Sequence, residues 1–69
     1  MELFSVKDLV AREFGPPFMS KNKDVALRQF KLIIKDVPEP DEYALYSLGE
    51  FDPDTGEIKS NEPLEVGFG

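Results

Sequence analysis

The chain has 69 residues, enough for one small domain, and because it contains no cysteine and no histidine it can form no disulfide, thiolate ligand or imidazole base. Hydrophobic residues make up 41% and charged residues 32%, a balance typical of a folded domain and too apolar for a disordered chain. The net charge of −6 argues against broad, non-specific binding to nucleic acid.

The first third of the chain predicts two short strands separated by a break. Residues 3–6 form an apolar run that predicts a first strand, and residues 7–13 fit either a helical turn or a loop. Gly15, Pro16 and Pro17 exclude a helix through this region, because proline fixes φ and has no N–H donor. Residues 18–20 then predict a short edge strand.

The clearest predicted element is a helix from residue 23 to residue 36. Asn22 is the predicted N-cap, and the carboxylate of Asp24 in the first turn suits the helix dipole. At about 100° per residue, one face of this helix is apolar and consists of Ala26, Phe30, Ile33, Ile34 and Val37, with Leu27 at its edge. Three basic residues fall together on one flank, namely Arg28, Lys31 and Lys35.

A hairpin is predicted after the helix. Residues 43–51 are typical of a strand, and residues 57–60 are typical of the returning strand. Between them Pro53 presets φ, Asp54 is expected to bond back to the backbone, and Gly56 accepts a positive φ. We therefore expect one domain over residues 1–60, with residues 61–69 as an acidic tail or a last edge strand.

Together these elements predict an α+β fold, a small antiparallel sheet of three or four strands with one helix packed on a face. Side chains alternate along a strand, which places Tyr43, Leu45 and Phe51 on one face and Ala44, Tyr46 and Leu48 on the other. Phe4, Phe30 and Phe51 are expected in the core. Since both faces carry large apolar groups, the face without the helix should be covered. One alternative is that a second copy or another partner covers this face, and a second copy would make the protein a homo-oligomer. The other alternative is that the tail or residues 14–18 fold over it.

The sequence contains no recognisable catalytic constellation. Its serines have no histidine partner, and neither a P-loop nor a G-x-G-x-x-G phosphate loop is present. Asp52 and Asp54 have the spacing that begins a calcium loop, but Gly56, Glu57 and Pro63 stand where the later ligands, glycine and glutamate should be. We therefore expect a protein that is not an enzyme and that binds no cofactor and no metal. No apolar run approaches the length of about 18 residues that a membrane span requires.

Charge is distributed unevenly along the chain. Residues 1–35 contain seven basic and four acidic residues, whereas residues 36–69 contain one basic and ten acidic residues. The basic half leaves room for a local phosphate-binding patch on the flank of the helix, and a solvated helix flank is the alternative. Tyr46 is the aromatic residue that best fits an exposed position at which a base could stack.

Several short segments, taken in order, resemble one family. They are the run of residues 3–6, the Phe14-Gly15-x-Pro17-Phe18 segment, Ala26-x-Arg28-x-Phe30, and the block Leu45-Tyr46-x-Leu48-Gly49-x-Phe51-Asp52 followed by Thr55-Gly56. Over about residues 3–56 the chain is similar to the small nonstructural protein of gokushovirus-type phages, in the Microviridae. These phages have very small single-stranded DNA genomes.

The resemblance implies an accessory protein in genome replication or in the switch to packaging of single-stranded DNA, acting in the host cytoplasm. DNA would then be contacted through Lys21, Lys23, Arg28, Lys31 and Lys35, with Tyr46 as a stacking platform. Arg28 is the one basic residue inside the matched pattern. Two alternatives stay open: a module that contacts a viral or host replication protein and no DNA, and a structural or scaffolding component of the particle.

Overall fold

One helix lies across one face of a five-stranded antiparallel sheet in the computed structural model, which describes all 69 residues. The strands are β1 (Glu2–Asp8), β2 (Glu13–Phe14), β3 (Phe18–Ser20), β4 (Tyr43–Phe51) and β5 (Ile58–Phe68), and the helix is α1 (Lys23–Ile33). A short 3-10 turn at Pro40–Glu42 leads into β4. The α+β prediction is confirmed, with five strands where three or four were expected.

The sheet has the order β2-β1-β4-β5, and β3 pairs with the same edge of β1 as β2 does. β2 and β3 are thus two pieces of one interrupted edge strand. The interruption falls at Gly15, Pro16 and Pro17, because prolines supply no N–H group to a ladder. The N–H of Gly15 still bonds to the carbonyl of Val6 at 2.8 Å, and the hydroxyl of Ser5 donates to the carbonyl of Gly15 at 2.7 Å.

Residues 7–13, for which the sequence fits either a helical turn or a loop, mostly form a hairpin between β1 and β2. β1 continues to Asp8, whose carboxylate then accepts hydrogen bonds from the N–H groups of Val10 and Ala11, each at 3.0 Å. Arg12 follows with a φ of 60°, which turns the chain into β2. The turn is therefore organised by a carboxylate rather than by glycine or proline.

The core lies between α1 and the sheet. Its fully buried hydrophobic side chains are Phe4, Ala26, Phe30 and Leu45, and Ile34 is nearly as buried. The predicted cap is present, since the Asn22 side chain accepts a hydrogen bond from the N–H of Val25 at 2.9 Å. The regular helix ends at Ile33, three residues earlier than predicted, and residues 34–36 form a turn.

Ile33 is not a core residue, and its assignment to the apolar face was wrong. Its side chain is 56% exposed, because Ala26, Phe30 and Ile34 form a narrow stripe toward the sheet and Ile33 falls beside it. Leu27 and Val37 are half-buried and pack against the core, as the helical pattern predicted.

A β-bulge in β4 changes which face of the sheet Phe51 occupies. Phe4 pairs with Ser47 and Leu3 with Gly49, so Leu48 is an extra residue in β4. Residues after the bulge therefore reverse their alternation relative to those before it. Phe51 lies on the face opposite the helix, and its assignment to the core and to the face of Tyr43 and Leu45 was wrong.

The turn between β4 and β5 has the predicted chemistry with one change. Gly56 has a φ of 77°, as expected. The side chain that closes the turn is Asp52, whose carboxylate accepts a hydrogen bond from the N–H of Asp54 at 2.9 Å. Asp54 was expected in that role.

Of the two alternatives for residues 61–69, an acidic tail or a last edge strand, the structure has the strand. β5 runs without a break from Ile58 to Phe68 along β4, with register shifts around Pro63 and near Val66. The N–H of Gly69 bonds to the carbonyl of Tyr43 at 3.0 Å. No helix has the length and apolarity needed to cross a membrane.

We call the sheet face opposite α1 the open face. Cross-strand pairing places on it the side chains of Leu3, Ser5 and Lys7 from β1 and of Ala44 and Tyr46 from β4. Ala44 and Ser5 are fully buried there although neither belongs to the core cluster.

Candidate functional site

The five predicted basic contacts lie on the helix and its two ends. Lys21 is in the connection between β3 and α1, Lys23 begins the helix, and Lys35 is in the turn that follows it. Arg28 and Lys31 lie within α1, one turn apart. All five side chains are exposed to solvent.

Arg28, Lys31 and Lys35 form a basic flank on the side of α1 that faces β5. The direction follows from Leu27, whose side chain packs so closely over Gly67 of β5 that any added Cβ there would clash with it. In a helix, positions 28, 31 and 35 lie beyond Leu27 on that side. One acidic residue, Asp24, lies one turn before Arg28 and lowers the positive potential at that end of the flank.

Tyr46 does not belong to the same surface as these five residues. Its neighbour Leu45 is in the core beneath the helix, so Tyr46 points to the open face. There its ring contacts Phe14 edge to face, with 5.3 Å between centroids and 81° between planes. The sheet thus separates Tyr46 from the basic flank.

Lys7 completes a cluster with these two aromatic rings. Its ammonium nitrogen lies 5.1 Å from the centroid of Phe14 and 5.5 Å from that of Tyr46, which is within the range of cation–π attraction. Sequence reasoning identified neither Lys7 nor Phe14. Alternation along β1 would have placed Lys7 on the face of Tyr46, but the position of Phe14 depends on β2, which was not predicted.

Two grooves are present. The larger, of about 340 Å³, lies beside the β4–β5 turn, and the residues that line it include Met1, Asp52, Pro53 and Lys59. The smaller, of about 300 Å³, lies beside the exposed Ile33 and is lined by Val6, Phe14, Pro16 and Tyr43, with Asp8 and Glu13 at its acidic end.

Neither groove adds a set of side chains arranged for catalysis or metal binding. Asp52 and Thr55 in the larger groove accept hydrogen bonds from the turn's own N–H groups, at Asp54 and Glu57 respectively. The structure contains no group of three or more histidine, cysteine, aspartate or glutamate side chains placed to hold a metal ion. What the molecule offers is surface: a basic helix flank on one layer and a mainly apolar sheet face on the other.

Fold and surfaces together define a two-layer α+β domain with one covered and one uncovered sheet face. The chain matches the family of the phage ORF5 protein over residues 1–67, and it belongs to that family. It is therefore a phage protein. Searches of curated proteins and of solved structures gave no match.

Proposed function

We propose that this phage protein is a non-enzymatic, nonstructural accessory protein of a gokushovirus-type phage that binds single-stranded DNA during genome replication or packaging. The observation that carries the proposal is the exposed basic flank of Arg28, Lys31 and Lys35, flanked by Lys21 and Lys23 at the start of the helix. Phosphate contacts require such cations, and they are concentrated on one layer of a chain whose net charge is −6.

The fold supports a role for the helix rather than the sheet in this contact. Tyr46 was a candidate stacking platform, but its ring is already engaged by Phe14 and Lys7, and it faces away from the basic flank. A strand of DNA that follows the helix layer would meet phosphate-binding groups without crossing the sheet. The expected binding mode is therefore electrostatic and independent of base sequence.

Fluorescence anisotropy with a labelled single-stranded oligothymidylate tests the proposal. Wild-type protein should bind at low salt and weaken steeply toward an ionic strength of about 0.15 M. The Lys31→Glu/Lys35→Glu variant should lose about tenfold or more in affinity, with a flatter dependence on salt because two phosphate contacts are gone.

A comparison of single variants supplies the matched control: Lys31→Glu and Lys59→Glu each exchange one exposed lysine for glutamate. Lys59 is equally exposed but lies in β5, beside the acidic hairpin turn. The Lys59→Glu variant should bind DNA within about twofold of the wild-type affinity, since Lys59 is expected to make no phosphate contact. Absence of binding at low salt, or equal losses from Lys31→Glu and Lys59→Glu, would rule out a DNA contact at the basic flank.

A second candidate function is a protein-interaction module that contacts a viral or host replication protein. The open face favours it, because a solvated sheet face is ordinarily polar and this one carries apolar and aromatic side chains. Such binding would change little with salt. A third candidate, a structural component, predicts that the protein is found by mass spectrometry of purified particles, whereas a nonstructural protein should be missing from them.

A further inference from the structure

The open face is an apolar surface that no helix covers. Tyr46 on this face is half-buried. Backbone pairing also places five exposed large hydrophobic side chains there, namely Met1, Phe14, Met19, Ile58 and Phe68. Ile58 and Phe68 are 62% and 61% exposed, at opposite ends of β5. The face therefore carries exposed apolar side chains at both ends.

The two segments that the sequence offered as covers for this face are both part of the sheet itself. Residues 61–68 lie in β5, alongside β4. Residues 14–18 lie at the β1 edge, where Phe14 pairs with Lys7 and Phe18 with Phe4. Within that segment the ring of Phe14 reaches Tyr46 and the carbonyl of Gly15 accepts a hydrogen bond from the hydroxyl of Ser5, so the segment covers the β1 edge of the open face and leaves Met19, Ile58 and Phe68 exposed.

Charge is nearly absent from the open face. Among the strand residues whose pairing places them there, Lys7 and Glu65 are charged, one positive and one negative. The paired residues of the face therefore carry no net charge, although the chain as a whole carries −6. Because the few charged groups on the face are of opposite sign, a two-fold contact can place Lys7 of one copy opposite Glu65 of the other, and no like charges need to meet.

The size of the face suits a two-fold interface. The two longer dimensions of the molecule are 40 and 21 Å, and a face of this extent offers at most roughly 800 Å², which is what each partner contributes to an interface of standard size. We propose that the open face packs against the open face of a second copy, which forms a two-fold dimer of two stacked sheets. Stacked sheets lie about 10 Å apart, so the aromatic and methionine side chains of both copies would fill the space between them.

This dimer does not rest on the proposed DNA contact, and it leaves that contact possible. Because α1 lies on the other side of the sheet, both basic flanks of the dimer face outward. The two associations also respond oppositely to salt. Salt screens the repulsion between two copies of charge −6 and strengthens the dimer, whereas it weakens phosphate contacts.

The test compares the Ile58→Lys/Phe68→Lys variant with wild type by sedimentation equilibrium at low and high salt. Both side chains are exposed in the single chain, so their replacement removes no core contact. Lysine moves the net charge of the chain toward zero, so the long-range repulsion between two copies falls rather than rises. The matched control is Leu32→Lys, a residue 68% exposed on the helix layer.

Wild type should sediment at twice the chain mass of 7.8 kDa, with tighter association at high salt. The double variant should weaken dimerisation by about a hundredfold or more, since two large apolar side chains no longer become buried. Leu32→Lys should behave as wild type. A monomeric wild type at both salt concentrations, or a dimer disrupted by Leu32→Lys and not by the double variant, would overturn the proposal.

The methionines supply a second measurement that needs no substitution. The chain has two, Met1 and Met19. Met19 pairs with Leu3, and Met1 accepts a backbone hydrogen bond from Phe51 at 2.8 Å, which places both on the open face. Their ¹³C-labelled methyl signals should shift with protein concentration and lose contact with a soluble paramagnetic agent as the dimer forms. Methyl groups that stay equally accessible at concentrations where the mass has doubled would place the interface elsewhere and refute the stacked-sheet dimer.

Discussion

Phe14 and Tyr46 meet edge to face across β1, with 5.3 Å between their ring centroids. One ring comes from β2 at the interrupted edge of the sheet and the other from β4 at its centre. Lys7, on the strand between them, holds its ammonium group close to both rings. The contact therefore ties a strand of only two residues to the body of the sheet, where backbone pairing alone would be weak.

We expect this aromatic pair to contribute measurably to stability. In a double-mutant cycle with Phe14→Ala and Tyr46→Ala, the coupling free energy should be about 0.5–1.5 kcal/mol, as for other edge-to-face pairs. Urea denaturation at one fixed protein concentration measures it. Tyr46→Phe is the control, because it keeps the ring and should retain the coupling. A cycle in which the two losses simply add would mean that the rings are neighbours without a specific interaction.

Phe30→Ala should be the most damaging of the single core truncations on the helix. Phe30 is fully buried between α1 and the sheet, and the truncation of a buried phenylalanine costs about 3–5 kcal/mol. A domain of this size has little stability to lose, so the variant should be largely unfolded by circular dichroism at 25 °C. Leu32→Ala, on the exposed side of the same helix, should change stability by less than about 0.5 kcal/mol. Comparable losses from both would contradict the assigned helix orientation.

The N-cap of α1 should also be measurable by itself. Asn22→Ala removes the acceptor for the N–H of Val25 and should lower the free energy of unfolding by about 0.5–2 kcal/mol. Asn22→Asp keeps an acceptor and adds a charge that the helix dipole favours, so it should preserve stability. If thermal denaturation shows Asn22→Asp to be as unstable as Asn22→Ala, the hydrogen bond at the cap is not the origin of the effect.

Local sequence patterns were sufficient to predict the helix, its N-cap and the turn of the final hairpin. Asn22 and the apolar spacing of Ala26, Phe30 and Ile34 determine where α1 begins and which side it buries. The turn around Gly56 likewise depends on residues that are adjacent in the chain. The basic flank could be predicted for the same reason, since helical spacing alone brings Arg28, Lys31 and Lys35 together.

Features that depend on pairing between distant strands were not accessible in this way. Leu48 looks like an ordinary strand residue, and only its position against β1 makes it a bulge that moves Phe51 to the open face. The cluster of Lys7, Phe14 and Tyr46 requires the register of three strands at once. Nothing in the local composition around residues 13–14 indicated a strand, because β2 exists through its pairing with β1.

Gly49 stands at the same bulge, and its replacement tests whether the bulge organises the hairpin. A Cβ at this position would clash with the carbonyl oxygen of Lys59 and lie 2.9 Å from the Cα of Ser60, so the side chain would meet the backbone of β5. Its φ of 152° adds strain for any residue other than glycine. Gly49→Ala should therefore cost about 3 kcal/mol or more, because neither backbone can move aside without breaking the pairing of β4 with β5.

Gly56→Ala is the matched control for Gly49→Ala. Gly56 also has a positive φ, but no atom lies within 4 Å of a Cβ built there. Strain alone should cost about 1–2 kcal/mol. Urea denaturation gives the two losses, and amide hydrogen exchange locates them: in Gly49→Ala the protection of β5 should fall before that of α1. Equal losses from the two glycines would mean that the backbone of β5 does not approach β4 closely at the bulge.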